Sequence, residues 1–286
     1  EQALDAEAGP YLGPSFKALD VAREQGATMI LLLPDAPIDE EIARDLLQAK
    51  LGGRMVVDIR SFYEHVVQRL PLSQINEEWL LLSEGFSLNT RGSLQRLKRA
   101  LDVFISLLLL IPATPLMLLT ALVIRLESPG PVIYRQDRVG LHEKEFTVYK
   151  FRSMRADAEK DGAVWASAND SRVTRFGRFI RKVRIDELPQ IWNILKGDMS
   201  FIGPRPERMA FVQRLKEQIP YYSLRHTVKP GLTGWAQVCY PYGASDEDAR
   251  HKLEYDLYYI KNMSILLDIH IIFKTVGVVL FPKGAR

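Results

Sequence analysis

Three features predict an α/β chain in three parts. Apolar runs alternate with helical spacing near the start, a long stretch without charge follows, and mixed strand and helix patterns fill the rest. Residues 1–95 read as a partial Rossmann-like α/β domain. Residues 96–126 read as a membrane helix that re-enters the face it left. Residues 127–286 read as a mainly helical α+β domain.

The first part rests on order. Ala27–Leu33 is a continuous apolar run, as expected of a buried parallel strand. Pro37–Leu51 carries helical spacing through Ile38, Ile42, Leu46 and Leu47, and Gly52-Gly53 stops it. Arg54–Ile59 is a second strand, Phe62–Leu70 a second helix, and Trp79–Leu82 a short strand. The segment has no GxGxxG, so nucleotide binding there has no motif behind it.

Val103–Ile124 runs for 22 residues without a charge. At ~1.5 Å per residue that is enough to cross a hydrocarbon core of ~30 Å. Three placements fit: a spanning helix, a buried core helix, or a helix that dips in and returns. Pro112 and Pro115 each remove a helical hydrogen bond and favour a bend. Arg96, Lys98 and Arg99 precede the stretch, and Arg125, Arg135 and Arg138 follow it. Basic residues on both flanks favour the returning helix over a span, which normally shows asymmetry.

The third part opens with a Ser128–Pro131 turn and two strands, Val132–Tyr134 and Glu145–Tyr149, joined at Gly140. Ser171–Arg184 holds Arg172, Arg175, Arg178, Arg181, Lys182 and Arg184 with no acid, a basic helical stripe suited to anionic phosphate. Ile265–Phe281 is apolar but interrupted by Asp268, His270 and Lys274, and suits an interfacial or a core helix.

Composition excludes several classes. Of 286 residues, 47% are hydrophobic and 26% charged, which excludes a disordered chain. Only 18 Gly and 16 Pro exclude collagen-like sequence. One cysteine, Cys239, forms no internal disulfide. A net charge of +3 points to no partner, so any electrostatic message is local. The chain begins at Glu1 without a signal pattern, as expected of a piece of a longer or processed protein.

The chemistry concentrates at Arg184–Gln190. Leu188, Ile191, Trp192 and Leu195 keep helical spacing, Gly197 ends the segment, and Pro189 is tolerated only in a first turn. Asp186 and Glu187 therefore stand at a helix start. Capping explains them simply. A functional reading has the helix end keep Asp186 ionised, so that one carboxylate attacks phosphorus while its neighbour holds a divalent cation. Arg205, clamped by Pro204 and Pro206, suits bidentate phosphate binding. Lys150 and Arg152 add cations on one strand face. Leu224–Val238 combines Arg225, His226 and Lys229 with a Pro-Gly turn and Trp235, and His226 lacks the partners of a zinc ligand.

These motifs carry a family resemblance. From about Leu97 to Arg286 the chain resembles the bacterial sugar transferase family, the monotopic polyprenyl-phosphate phosphoglycosyl transferases that start exopolysaccharide and O-antigen assembly. The matching features are the apolar helix with Thr114-Pro115, Gln136–Gly140, Tyr149–Met154, Asp186-Glu187, Gly203–Glu207 and Pro230–Val238. Residues 1–95 resemble the soluble domain of its larger members. The resemblance implies that a hexose-1-phosphate moves from a UDP-sugar to undecaprenyl phosphate with release of UMP. It implies Asp186 as nucleophile, Glu187 acting with Asp186 on Mg²⁺, and Arg152, Arg205 and Lys150 on substrate phosphates. Thr114-Pro115 would break the re-entrant helix. The expected setting is the cytoplasmic face of the bacterial inner membrane, with a homodimer and no nucleic acid. A membrane-anchored scaffold without turnover is the competing reading. It leaves the carboxylate pair and Arg205 without purpose.

Overall fold

A computed structural model describes residues 18–33, 38–86, 92–155, 170–240, 243 and 245–280. The chain forms two compact units, residues 1–74 and 75–286.

In the first unit, α1 (Ala18–Glu24) precedes a β–α–β unit of β1 (Met29–Leu32), α2 (Glu40–Leu51) and β2 (Met55–Asp58), followed by α3 (Ile59–Val67). Asp39 caps α2 by accepting from Ile42 N at 2.8 Å. Asp58 caps α3 through Arg60 N and Ser61 N at 2.8 and 3.2 Å. β1 and β2 are parallel, in register from Met29↔Met55 to Leu32↔Asp58. The predicted strands and helices are therefore present. Among the described residues they make a single two-stranded sheet, and the fuller Rossmann-like sheet is not seen. Pro37 lies outside the described residues.

Trp79–Leu82, expected as a strand, is helical. It belongs to α4 (Glu77–Leu82), because Asn76 accepts from Trp79 N at 2.8 Å and two glutamates occupy the first turn. The second unit begins at Ile75. The reason is packing: Trp79 meets Phe86 edge-on at 6.2 Å and lies 4.9 Å beneath the Lys261 ammonium.

The uncharged stretch lies in α5 (Gly92–Glu127), a helix of 36 residues, about 54 Å at ~1.5 Å per residue. Pro112 and Pro115 lie inside it, and Thr114 Oγ1 donates to Leu110 O at 2.7 Å, a back-bond that favours bending. Only 17% of its most apolar window is buried, so it is no core helix of this unit. One face is covered at Asp102, Ser106, Ala113, Thr120 and Ile124, while Phe104, Leu108, Ile111 and Leu118 stand exposed.

Both ends of α5 join the same body. Near its start, Arg99 donates to the carbonyls of Ile194 and Leu195 at 2.5 and 2.6 Å. Asp102 accepts from Ser200 Oγ and Phe201 N at 3.1 and 3.0 Å. At its other end, Ile124 packs with Phe151 and Ile180, and Glu127 accepts from Phe176 N at 2.9 Å.

That body is mixed, as predicted. The hairpin is longer than the sequence suggests: β3 (Ile133–Val139) pairs antiparallel with β4 (Glu145–Phe151) around Gly140. The basic stripe forms α6 (Arg175–Lys182), capped by Thr174, and α7 (Gln190–Lys196) follows. β5 (Ser200–Ile202) pairs in parallel with β6 (Gly231–Thr233). α8 (Met209–Gln218), the short α9 (Trp235–Cys239), α10 (Asp246–Lys261) and α11 (Ile265–Leu280) complete it. Buried Trp235, Leu253, Leu257 and Tyr259 anchor the last three helices. Leu266 and Phe273 of α11 are exposed while Ile271 is fully buried, so that helix is part core and part surface.

Candidate active site

The site starts from a tight turn. Arg184 adopts a left-handed conformation (φ 59°), and Ile185–Glu187 form one 3-10 turn that runs through Leu188 and Pro189 into α7. Pro189 stands just ahead of the first helical residue, and Gly197, with φ 97°, closes the helix. Asp186 and Glu187 are both buried.

Asn193 docks α7 onto β4. Its side chain accepts from Tyr149 N at 3.1 Å and donates to Thr147 O at 2.7 Å. The next residue of that strand, Lys150, places its ammonium 2.9 Å from Glu187 Oε1. Arg205 reaches the same oxygen at 2.9 Å, and Arg184 stands 3.8 Å away. Glu187 is thus the hub of a cationic knot. Arg205 comes from the loop after β5, where Gly203 packs against Lys229, Pro230 and Gly231 too closely to admit a side chain. Its other guanidinium nitrogen donates to Gln237 Oε1 at 2.9 Å, and its carbonyl accepts from buried Arg225 at 3.0 Å. Arg225 is itself paired with buried Asp256 at 3.0 Å.

The two carboxylates differ electrostatically. Burial alone would raise Glu187, but the charges of Lys150, Arg205 and Arg184 outweigh it and hold the group well below the ordinary range. Asp186 moves the other way. Burial and the adjacent Glu187 charge raise it, and the charges of Lys150, Arg184 and Arg181 offset this only in part. The sequence reading expected a helix end to lower Asp186. The shift is upward instead, with desolvation its largest cause and the neighbouring Glu187 charge the next. Asp186 Oδ1 is buried with no hydrogen-bond partner.

The predicted residues divide. Asp186, Glu187, Lys150 and Arg205 converge. Arg152 does not join them: its guanidinium donates to Ser128 O at 2.7 Å, Pro129 O at 3.0 Å and Ile124 O at 3.4 Å. Arg152 lies past the end of β4, over the C-terminus of α5, where free carbonyls attract a cation. Thr114 and Pro115 lie within α5, away from the carboxylates in sequence and on a different element. His226 is buried 3.8 Å from Glu143. No group of three or more His, Cys, Asp or Glu able to hold a metal occurs among the described residues.

Sequence reasoning passed over Gln237, Asn193 and the Arg225–Asp256 pair. Only the density of Pro230–Val238 in turn residues and aromatics hinted at the first. Nothing local marks Asn193 as the link between α7 and β4.

Comparison with known proteins identifies the family. The model of the family described as bacterial sugar transferase matches residues 93–282. The UDP-N-acetylgalactosamine-undecaprenyl-phosphate N-acetylgalactosaminephosphotransferase of Aeromonas hydrophila is 44% identical over 254 residues, covering 89% of this chain and 59% of the relative. The undecaprenyl-phosphate glucose phosphotransferase of Komagataeibacter xylinus is 43% identical over 253 residues, 86% of this chain and 44% of its own. The UDP-glucose:undecaprenyl-phosphate glucose-1-phosphate transferase of Escherichia coli strain K12 is 44% identical over 182 residues, 63% and 39%. The chain thus spans about half the length of these relatives. The family model covers the apolar helix, the carboxylate pair and the Arg205 loop alike, and the chain belongs to the bacterial sugar transferase family.

Proposed function

We propose that the chain transfers a hexose-1-phosphate from a UDP-sugar to undecaprenyl phosphate, releasing UMP, through a phosphosugar intermediate on Asp186. The observation that carries this reading is the asymmetric carboxylate pair. Glu187 is neutralised by Lys150, Arg205 and Arg184, while the neighbouring Asp186 keeps a buried oxygen without a partner.

The chemistry follows from charge. A diphosphate repels an incoming carboxylate, so cations must offset its oxygens before attack. Arg205 and Lys150, both on Glu187 beside Asp186, supply the charge for such oxygens. In the first step Asp186 attacks the sugar-bearing phosphorus, the bond to the bridging oxygen breaks, and UMP leaves with that electron pair. In the second, the phosphate oxygen of undecaprenyl phosphate attacks the same phosphorus. The bond to Asp186 breaks and the carboxylate is restored. A raised Asp186 pKa marks an anion poorly solvated at rest, which favours its nucleophilicity once deprotonated.

A divalent cation fits this site in one respect. Asp186 Oδ1 is a buried acceptor without a partner, next in sequence to a second carboxylate, and Mg²⁺ commonly takes one or two carboxylates with substrate phosphates and water. Asp186 and Glu187 would hold it, and when bound it would supply further charge neutralisation on the diphosphate.

The lipid acceptor accounts for α5. Its two ends attach to one body while its middle exposes Leu, Ile and Phe, which supports a helix that enters a leaflet and returns. The reading places the chain on the cytoplasmic face of the inner membrane, as a homodimer starting exopolysaccharide or O-antigen assembly. Nucleic acid has no part in it.

The test is UMP release with undecaprenyl phosphate and Mg²⁺. UDP-N-acetylgalactosamine and UDP-glucose, named for the relatives, are the first donors to supply. Asp186→Asn should abolish release and the trapping of a radiolabelled phosphosugar on the protein. Full turnover in Asp186→Asn removes that residue from the nucleophile role. Liposome binding without turnover by the wild type favours a scaffold.

A further inference from the structure

Buried polar atoms without partners are uncommon, because each forfeits its hydrogen bond with water. Nine such atoms occur among the described residues, and three of them are Asp186 Oδ1, Gln190 Nε2 and Gln237 Nε2. Gln190 opens α7, four residues after Asp186. Gln237 is the residue that grips Arg205.

The orientation of the Gln237 amide is chemically settled. Its oxygen accepts from the Arg205 guanidinium at 2.9 Å, and a flipped amide would set two donors against each other. The NH₂ group therefore sits on the same carbon as that oxygen, with hydrogens and no acceptor among the described residues. Arg205 is in turn shared with Glu187. A guanidinium held on two sides is fixed in direction, and the adjacent amide extends its row of donors.

We infer that Gln237 is a substrate-binding residue whose Nε2 donates to an oxygen of the sugar donor's diphosphate, while its Oε1 positions Arg205 for the same group. The inference rests on the phosphosugar-transfer reading of this site. It adds a neutral donor to the cations already described. Gln190 Nε2 is likewise unpartnered among the described residues.

The test separates the two ends of the amide. Gln237→Glu keeps an acceptor for Arg205 and replaces the donor with an anion. Gln237→Met removes both polar ends at similar length. Binding of UDP, and separately of inorganic pyrophosphate, is measured by calorimetry with Mg²⁺ on the full chain, alongside KM for the UDP-sugar. The expected result is a loss of about tenfold or more for both probes in both variants. KM should rise by a similar factor and the melting temperature of Gln237→Glu should stay unchanged. Wild-type binding by Gln237→Glu would overturn the inference, since holding Arg205 would then be the residue's whole role. Loss for UDP but not pyrophosphate would also overturn it, by assigning the donor to the uracil. Should Gln237→Glu fail to fold, wild-type binding by Gln237→Met overturns the inference and loss of both probes supports it. The underlying reading fails separately, if the wild type binds UDP yet releases no UMP from any donor.

Discussion

His226 shows how a single buried group is expected to respond to pH. Burial, with the Arg225 charge close by, lowers its pKa to about 4, and Glu143 opposes this only in part. An unfolded histidine titrates near ~6.5. The folded state therefore favours the neutral ring. Its contribution to stability is complete above the unfolded value and is lost as pH falls toward 4. Asp256 runs the opposite way, since burial raises it to about 6 against the pull of Arg225. The measurement must accordingly be a difference. The stability gap between wild type and His226→Gln should be larger at pH 7.5 than at pH 4 by up to about 3 kcal/mol. A gap independent of pH would show that the ring is not held neutral.

Among the elements, α5 depends on how its C-terminus is closed. Arg152 supplies that closure by donating to three carbonyls, those of Ile124, Ser128 and Pro129. Arg152→Ala should cost about 1.5–3 kcal/mol of stability, the usual worth of a charge-assisted hydrogen-bond set. KM for the donor should stay unchanged in the folded fraction. A raised KM with normal stability would return Arg152 to the phosphate site. The elements also show why local signals differ in reach. Asn76, Asp39 and Asp58 are capping residues, and the last two mark helices that the sequence predicts. Asn76 carries no such signal in sequence, because Trp79–Leu82 is apolar enough to pass for a strand and a run of four cannot display a period.

For the whole molecule, the decisive question is which side of a bilayer each end of α5 occupies. With both ends fastened to one body, single cysteines at Ser93 and Pro129, in a Cys239→Ser background, should react from the same side of sealed vesicles. Labelling from opposite sides would make α5 a span and detach one set of its contacts from the described fold. The two compact units raise no such constraint, as each carries its own buried residues.

Period, caps and composition settle by themselves that this chain has an α/β beginning, one long apolar helix and a mixed body, because these properties depend on neighbours in sequence. The carboxylate pair at a helix start and the proline-clamped arginine are equally local. Only tertiary structure decides that Lys150 and Arg205 meet on Glu187 while Arg152 is diverted to a helix end. Those outcomes depend on which element lies over which, and that is set by packing between residues far apart in the chain. The same holds for the protonation of Asp186: its type and position are written in the sequence, but its solvation is a property of the folded surroundings.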